Sequence, residues 1–104
     1  MSEKRGGAPE RVGTLLEGLL RSHDLVEGVE RASVFPEWAD LVGPQIAQVA
    51  TPVGFHRATL FVEVRSSAWL MELEMMERRM LAQLNAGHRR GKFQRIVFRL
   101  AAGD

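Results

Sequence analysis

The chain is expected to fold as an α+β domain: a three-stranded sheet with N-terminal helices and one long helix packed on it, in the order α-α-β-β-α-β. Three patterns lead there. In Thr59–Arg65, Leu60, Val62 and Val64 alternate with Thr59, Phe61, Glu63 and Arg65, the period of a half-buried strand. After Ser66-Ser67 the period changes, and Trp69, Leu73, Met76, Met80 and Leu84 recur at helical spacing. From Phe93 to Leu100 alternation returns, with Ile96, Phe98 and Leu100 on one face and Phe93, Arg95, Val97 and Arg99 on the other.

The elements follow in order. Residues 1–9 are polar, carry Gly6, Gly7 and Pro9 and show no periodicity, so they are expected to be a disordered tail, with the folded domain spanning 10–101. Val12, Leu15, Leu16, Leu19 and Leu20 predict a helix over 10–23. Asp24 can cap a second short helix whose apolar side is Leu25, Val26 and Val29. Glycines at 13, 18 and 28 lower helix propensity by about 1 kcal/mol each, so both helices depend on packing. Trp38, Leu41 and Val42 share a helical face, Gly43-Pro44 ends that helix, and Pro44 opens another carrying Ile46, Ala47 and Val49. Thr51-Pro52 closes the helical section, and a first strand is expected over 53–57, turning at Arg57-Ala58. The Ser66-Ser67 hydroxyls can cap the long helix, on which Trp69 is expected to be core. Residues 86–92, AGHRRGK, read as a basic loop between glycines.

Composition narrows the function classes. The 104 residues suit one domain, with 45% hydrophobic and 26% charged residues as in ordinary globular proteins. There is no cysteine, hence no disulfide framework and no thiolate nucleophile or ligand. No apolar run reaches the ~18 residues of a membrane span, and the N-terminus lacks a secretory apolar core, so a cytoplasmic protein without membrane partners is expected. His23, His56 and His88 stand in no metal-ligand spacing, and no phosphate-loop, dinucleotide or nucleophile-elbow motif occurs. Glu74 and Arg78 read as a surface pair one helical turn apart. Catalysis, cofactors and a small-molecule substrate are not expected.

Charge points to a polyanion. Residues 1–51 hold five basic and eight acidic side chains, and residues 52–104 hold nine basic and five acidic. From Arg78 to Arg99 there are seven basic residues and no acid. Single strands are held by cations that follow phosphates beside apolar platforms on which bases stack. Arg57, Arg65, Arg89, Arg90, Lys92, Arg95 and Arg99, with Phe61, are the candidate nucleic-acid residues. Phe61 and Phe93 also suit packing beneath the N-terminal helices, and the loop arginines suit plain solvation. Met71 and Met75, flanked by Arg78 and Arg79, lie opposite the Trp69 stripe, which fits either a partner surface or a helix sandwiched in the core.

The run Trp38 to Leu100 (W-x3-V-G-x2-I-A, T-P, L-F-V-E-V, S-S-A-W-L-M-E-L, L-x2-L-N, a basic glycine-containing loop, I-V-F-R-L) resembles the bacterial DciA family over roughly residues 12–101. Its most specific pieces are Ser67-Ala68-Trp69 with Glu72-Leu73, Leu84-Asn85, and Trp38 with Val42-Gly43. The resemblance implies a KH-like domain of the order helix, strand, strand, helix, helix, strand. It also implies single-stranded DNA as a ligand, a DnaB-type replicative helicase as partner, and a nucleoid-associated role in helicase loading. The chain lacks the G-x-x-G loop with which KH domains clamp a backbone, so binding through the basic loop and sheet edge is expected instead. It ends directly after the last strand, without the basic extension many members carry; either it is short in itself or a further segment follows. An RNA-binding KH-like protein and a protein-interaction adaptor without nucleic-acid binding are the alternatives.

Overall fold

The computed structural model describes residues 25–102. The expected tail over 1–9 and helix over 10–23 lie outside the described residues. Helix α1 (residues 25–32) is followed by α2 (Trp38–Val42), α3 (Pro44–Val49), β1 (Ala50–His56), β2 (Thr59–Val64), α4 (Ser67–Met75), α5 (Glu77–Asn85) and β3 (Arg95–Leu100). The sheet order is β1-β2-β3, antiparallel between β1 and β2 and parallel between β2 and β3. The fold is α+β as expected, with its core between the helices and one face of the sheet. Among the described residues no helix is long and apolar enough to cross a membrane.

The alternation in β2 sets the core. Leu60, Val62 and Val64 are wholly buried, as are Leu73, Met80 and Leu84 from the helices, with Ile96 and Phe98 of β3 beside them. Each such side chain contributes about 1.5–3 kcal/mol by leaving water. Trp38 and Val42 of α2 and Ile46 of α3 close the same core, and the Trp38 indole N–H donates to Ala50 O at 2.9 Å, tying α2 to the first residue of β1. Gly43, at φ 94°, makes the sharp passage into α3, where Pro44 occupies the first turn. β1 starts earlier than expected, at Ala50. Pro52 is tolerated because β1 is an edge strand, and a bulge follows between Pro52 and Gly54.

The expected long helix is interrupted. Ser66 caps it as foreseen, its hydroxyl accepting the Trp69 N–H at 3.2 Å. At Met76, however, φ −99° and ψ 7° replace helical values, and the Met76 N–H donates to Leu73 O at 2.9 Å, one residue short of the α pattern. The apolar stripe passes through this break almost unchanged, so periodicity alone could not reveal it. Two consecutive helices result, which is the helix-helix step in the order that the family resemblance implied. Beyond the break, Glu77 Oε2 accepts the Ile96 N–H at 2.8 Å and thereby satisfies a donor on β3. Among the described residues no ion pair joins Glu74 to Arg78, which lie on either side of the break. Trp69, expected in the core, is only partly buried at its margin. It sits in the first turn of α4, where it lines an open groove beside Ile46.

Five further positions differ from expectation, the first being Leu100, placed with Ile96 and Phe98 on the core face but 52% exposed at the end of β3. Phe93 precedes β3 and is buried at 2% exposure; its ring meets Phe55 at 5.9 Å, and Phe55 meets Phe35 at 6.2 Å. This aromatic row closes one end of the core, so Phe93 is not on the open face. Leu25, Val26 and Val29 of α1 are exposed rather than packed.

At its β3 end, the connection from α5 to β3 is pinned by Asn85. Asn85 Oδ1 accepts the Phe93 N–H at 2.7 Å, and its Nδ2 donates to Phe93 O at 2.8 Å, as a paired strand would. Asn85→Ala should leave both Phe93 groups unpaired in a half-buried setting, at a cost of about 1–3 kcal/mol. A melting temperature lowered by about 4–8 °C per kcal/mol is the expected result in a thermal denaturation followed by circular dichroism. Asn85→Asp, which keeps only the acceptor, should fall between. The β1–β2 turn carries a second strain-dependent site, since Arg57 adopts φ 53°. Arg57→Gly should raise stability by about 0.5–1 kcal/mol, the relief of left-handed backbone less glycine's extra unfolded-chain entropy, whereas Arg57→Ala should not.

Candidate nucleic-acid and partner surfaces

The candidate cations divide into two groups. Because β2 and β3 run parallel, their first residues pair, Thr59 with Arg95, and Ala58 O accepts the N–H groups of Gln94 and Arg95 at 2.7 and 3.2 Å. The turn bearing Arg57, the loop bearing Arg89, Arg90 and Lys92, and Arg95 therefore meet at one end of the sheet, all exposed. Arg65 and Arg99 belong to the other end, about 13 Å along the strands. Arg99 there pairs with Glu63 across the strands at 3.2 Å. Between the two ends lie Phe61 and Val97, paired across β2 and β3 and half-buried. Among the described residues no helix packs on that face of the sheet.

The basic loop is ordered from its backbone. Three consecutive N–H groups, those of Arg89, Arg90 and Gly91, donate to Glu30 Oε1 at 3.1, 2.9 and 2.5 Å, and the Arg89 N–H also reaches Oε2 at 3.2 Å. The neighbouring Arg31 donates to Lys92 O at 3.2 Å, and His88 Nδ1 lies 3.0 Å from Gly91 O. The Gly91 N–H is the largest influence on the Glu30 carboxyl, holding it below its ordinary range. Burial pulls the other way, and the N–H groups of Arg90 and Arg89, with nearby His88, add to the lowering. Gly91 is required: a Cβ there would stand 2.6 Å from Glu27 O and 2.6 Å from Glu30 Cβ. Sequence reasoning missed Glu30, which lies some sixty residues from the loop and carries no local signal of its partner.

The other candidate surface is on α4 and α5. Met71 and Met75 are 67% and 79% exposed, and Arg78 and Arg79 are exposed beside them. The methionines are thus surface, and of the two expectations for them the sandwiched helix does not hold among the described elements. Next to them an open groove of about 450 Å³ runs between α3 and α4, with Ile46, Trp69 and Met76 as its apolar lining and Gln45, Glu72 and Arg79 as its polar one. Arg79 joins the groove to the methionine face. The groove was not legible in the sequence because Trp69 and Ile46 both carry core-like spacing.

The chain is similar to known proteins over most of this fold. A family described as Dna[CI] antecedent, DciA, matches residues 11–98. A UPF0232 protein of Mycobacterium leprae (strain TN) is 35% identical over 78 residues, 75% of this chain and 41% of that protein. A UPF0232 protein of Mycolicibacterium smegmatis (strain ATCC 700084 / mc(2)155) is 33% identical over 78 residues, 75% of this chain and 40% of that one. Another from Mycolicibacterium smegmatis, described as lying in the recF-gyrB intergenic region, is 32% identical over the same length. The chain thus spans about two-fifths of the length of the curated relatives it matches. With the match running from before α1 into β3, and with Trp38, Trp69 and Asn85 placed at the structural joints described above, the chain belongs to the DciA family.

Proposed function

We propose that this chain is a non-enzymatic DNA-replication factor that binds single-stranded DNA without sequence preference, binds a DnaB-type replicative helicase, and assists its loading. Family membership favours a role in helicase loading. The observation that carries the DNA half is the convergence of Arg57, Arg89, Arg90, Lys92 and Arg95 at one end of a sheet whose open face presents Phe61 and Val97. Cations spaced along such a surface follow phosphates, while the apolar middle offers a base a flat contact. Backbone contact of this kind carries no base code, so the reading is of a cytoplasmic, nucleoid-associated protein that accepts many sequences. The helicase half rests on the exposed Met71 and Met75, which can adapt to an apolar partner, with Arg78, Arg79 and the Trp69 groove alongside.

Because the two surfaces use different elements, they separate by mutation. With about three phosphates contacted, binding of a labelled oligonucleotide, followed by fluorescence anisotropy, should fall with salt at a log–log slope near −2. Replacing Arg89, Arg90 and Lys92 with Ser should weaken binding and flatten the slope; the hydrogen bonds that join the loop to Glu30 and Arg31 run through the loop's backbone, so the fold should survive. Arg99→Ser, removing a cation already paired with Glu63, should matter less than Arg95→Ser. Met71→Gln with Met75→Gln should leave DNA binding and melting temperature nearly unchanged and reduce capture of the helicase in a pull-down. Unchanged DNA affinity in the loop variant would move the nucleic-acid site elsewhere. Stronger binding to an RNA oligonucleotide, with no helicase captured, would favour the RNA-binding reading.

A further inference from the structure

The Glu30 carboxylate occupies a site built for an anion. Three successive backbone N–H groups, of Arg89, Arg90 and Gly91, converge on one of its oxygens at 2.5–3.1 Å, the arrangement by which backbone nests hold phosphate oxygens. The site lies within the cationic end of the sheet, between Arg89 and Lys92 in sequence. It is also closed: Gly91 is buried, and its α-carbon lies so near the α1 backbone that a Cβ would meet Glu27 O at 2.6 Å. No external anion reaches those N–H groups while α1 is seated.

Among the described residues, what seats α1 is mainly polar. Its apolar residues Leu25, Val26 and Val29 are 55%, 40% and 58% exposed, so they bury little against the domain. Among the described residues, the hydrogen bonds running from α1 to the loop are those of Glu30 and the Arg31 bond to Lys92 O, with Gly91 packed against the helix backbone. Immediately beyond, Val34 is wholly buried, which fixes the chain at the helix's C-terminal end. Within the described residues, α1 is anchored at its C-terminal end by Val34 and bonded to the loop by one carboxylate and one guanidinium, so it can swing without disturbing the core.

We infer that α1 is an autoinhibitory latch in which Glu30 stands in for a nucleic-acid phosphate, and that its release opens the nest of residues 89–91 to a phosphodiester. Release has two consequences of the same sign. It frees three N–H donors, and it removes a negative charge from the middle of the cations. By linkage, DNA that occupies the nest disfavours the seated helix to the same degree. This rests on the nucleic-acid reading above and adds a control to it.

The test compares wild type, Glu30→Ala, Glu30→Gln and Glu27→Gln. Glu27 lies on the same helix and pairs with Arg31 at 3.6 Å, but it accepts no bond from the loop N–H groups, so its variant controls for the loss of a charge alone. Glu30→Ala should bind a labelled single-stranded oligonucleotide roughly five- to tenfold more tightly, with a salt slope steeper by about 0.7, one further phosphate. Glu30→Gln, which retains an acceptor, should gain less, and Glu27→Gln should stay near wild type. In parallel, inorganic phosphate titrated into the labelled proteins should shift the amide resonances of residues 89–91 in Glu30→Ala and leave them in place in wild type. The core resonances of Leu60, Val62 and Leu84 report that the variants remain folded, and Glu30→Gln supplies the comparison if Glu30→Ala does not. If wild type binds oligonucleotide, but Glu30→Ala binds no better and phosphate moves no loop amide, the latch is wrong and the nucleic-acid reading stands. If Glu27→Gln gains as much as Glu30→Ala, charge alone is at work and the latch again fails. If no protein binds oligonucleotide, latch and nucleic-acid reading fall together.

Discussion

Parallel pairing of β2 with β3 is the constraint on which the rest of the molecule depends. Antiparallel neighbours can be joined by a two-residue turn, as β1 and β2 are at Arg57-Ala58, but parallel neighbours need a crossover that returns the chain to the end where it began. Here α4 and α5 make that return, and Leu73, Met80 and Leu84 must therefore lie across Leu60, Val62 and Val64. The same return brings the start of β3 beside the start of β2. A hairpin turn, a long loop and a strand end, remote in sequence, become neighbours at one edge, and their arginines and lysine with them. The cationic end is thus a consequence of topology as much as of composition.

Much of this was legible from periodicity. The two-residue alternation of β2, that of β3 through Ile96 and Phe98, the Ser66 cap and the Gly43-Pro44 joint are local: each is decided by residues within one or two turns of chain, and each was read correctly. What escaped the sequence was decided at a distance. Phe93 continues the alternation of β3, yet Asn85 and Phe55 claim it for the core. Trp69 has the spacing of a core residue but is only partly buried at the margin of the core, lining the groove between α3 and α4. The break at Met76 keeps the apolar stripe aligned, so the spacing is nearly the same with or without it. Glu30 is the clearest case, since a lone carboxylate on a helix gives no sign that it will receive three N–H groups from a loop near the other terminus.

The site set that the sequence offered was correspondingly part compact and part dispersed. Arg57, Arg89, Arg90, Lys92 and Arg95 are gathered by the crossover. Arg65 and Arg99 are placed at the far end of the strands, where Glu63 already takes one of them. The methionine face, on the outer side of the crossover helices, is separate from both. One helical pair thus has an inner stripe that fixes the sheet carrying the cations and an outer stripe that stays exposed. On the function proposed above, a DNA strand and a protein partner would use different residues.

That separation can be tested directly by mapping the contact of an unmodified single-stranded oligonucleotide on the isotope-labelled chain by nuclear magnetic resonance. The account predicts perturbed amides at Arg57, over residues 89–95 and on the open face at Phe61 and Val97, with Met71, Met75 and Trp69 unaffected. Perturbations centred on α4 and the Trp69 groove, with the cationic end silent, would contradict it.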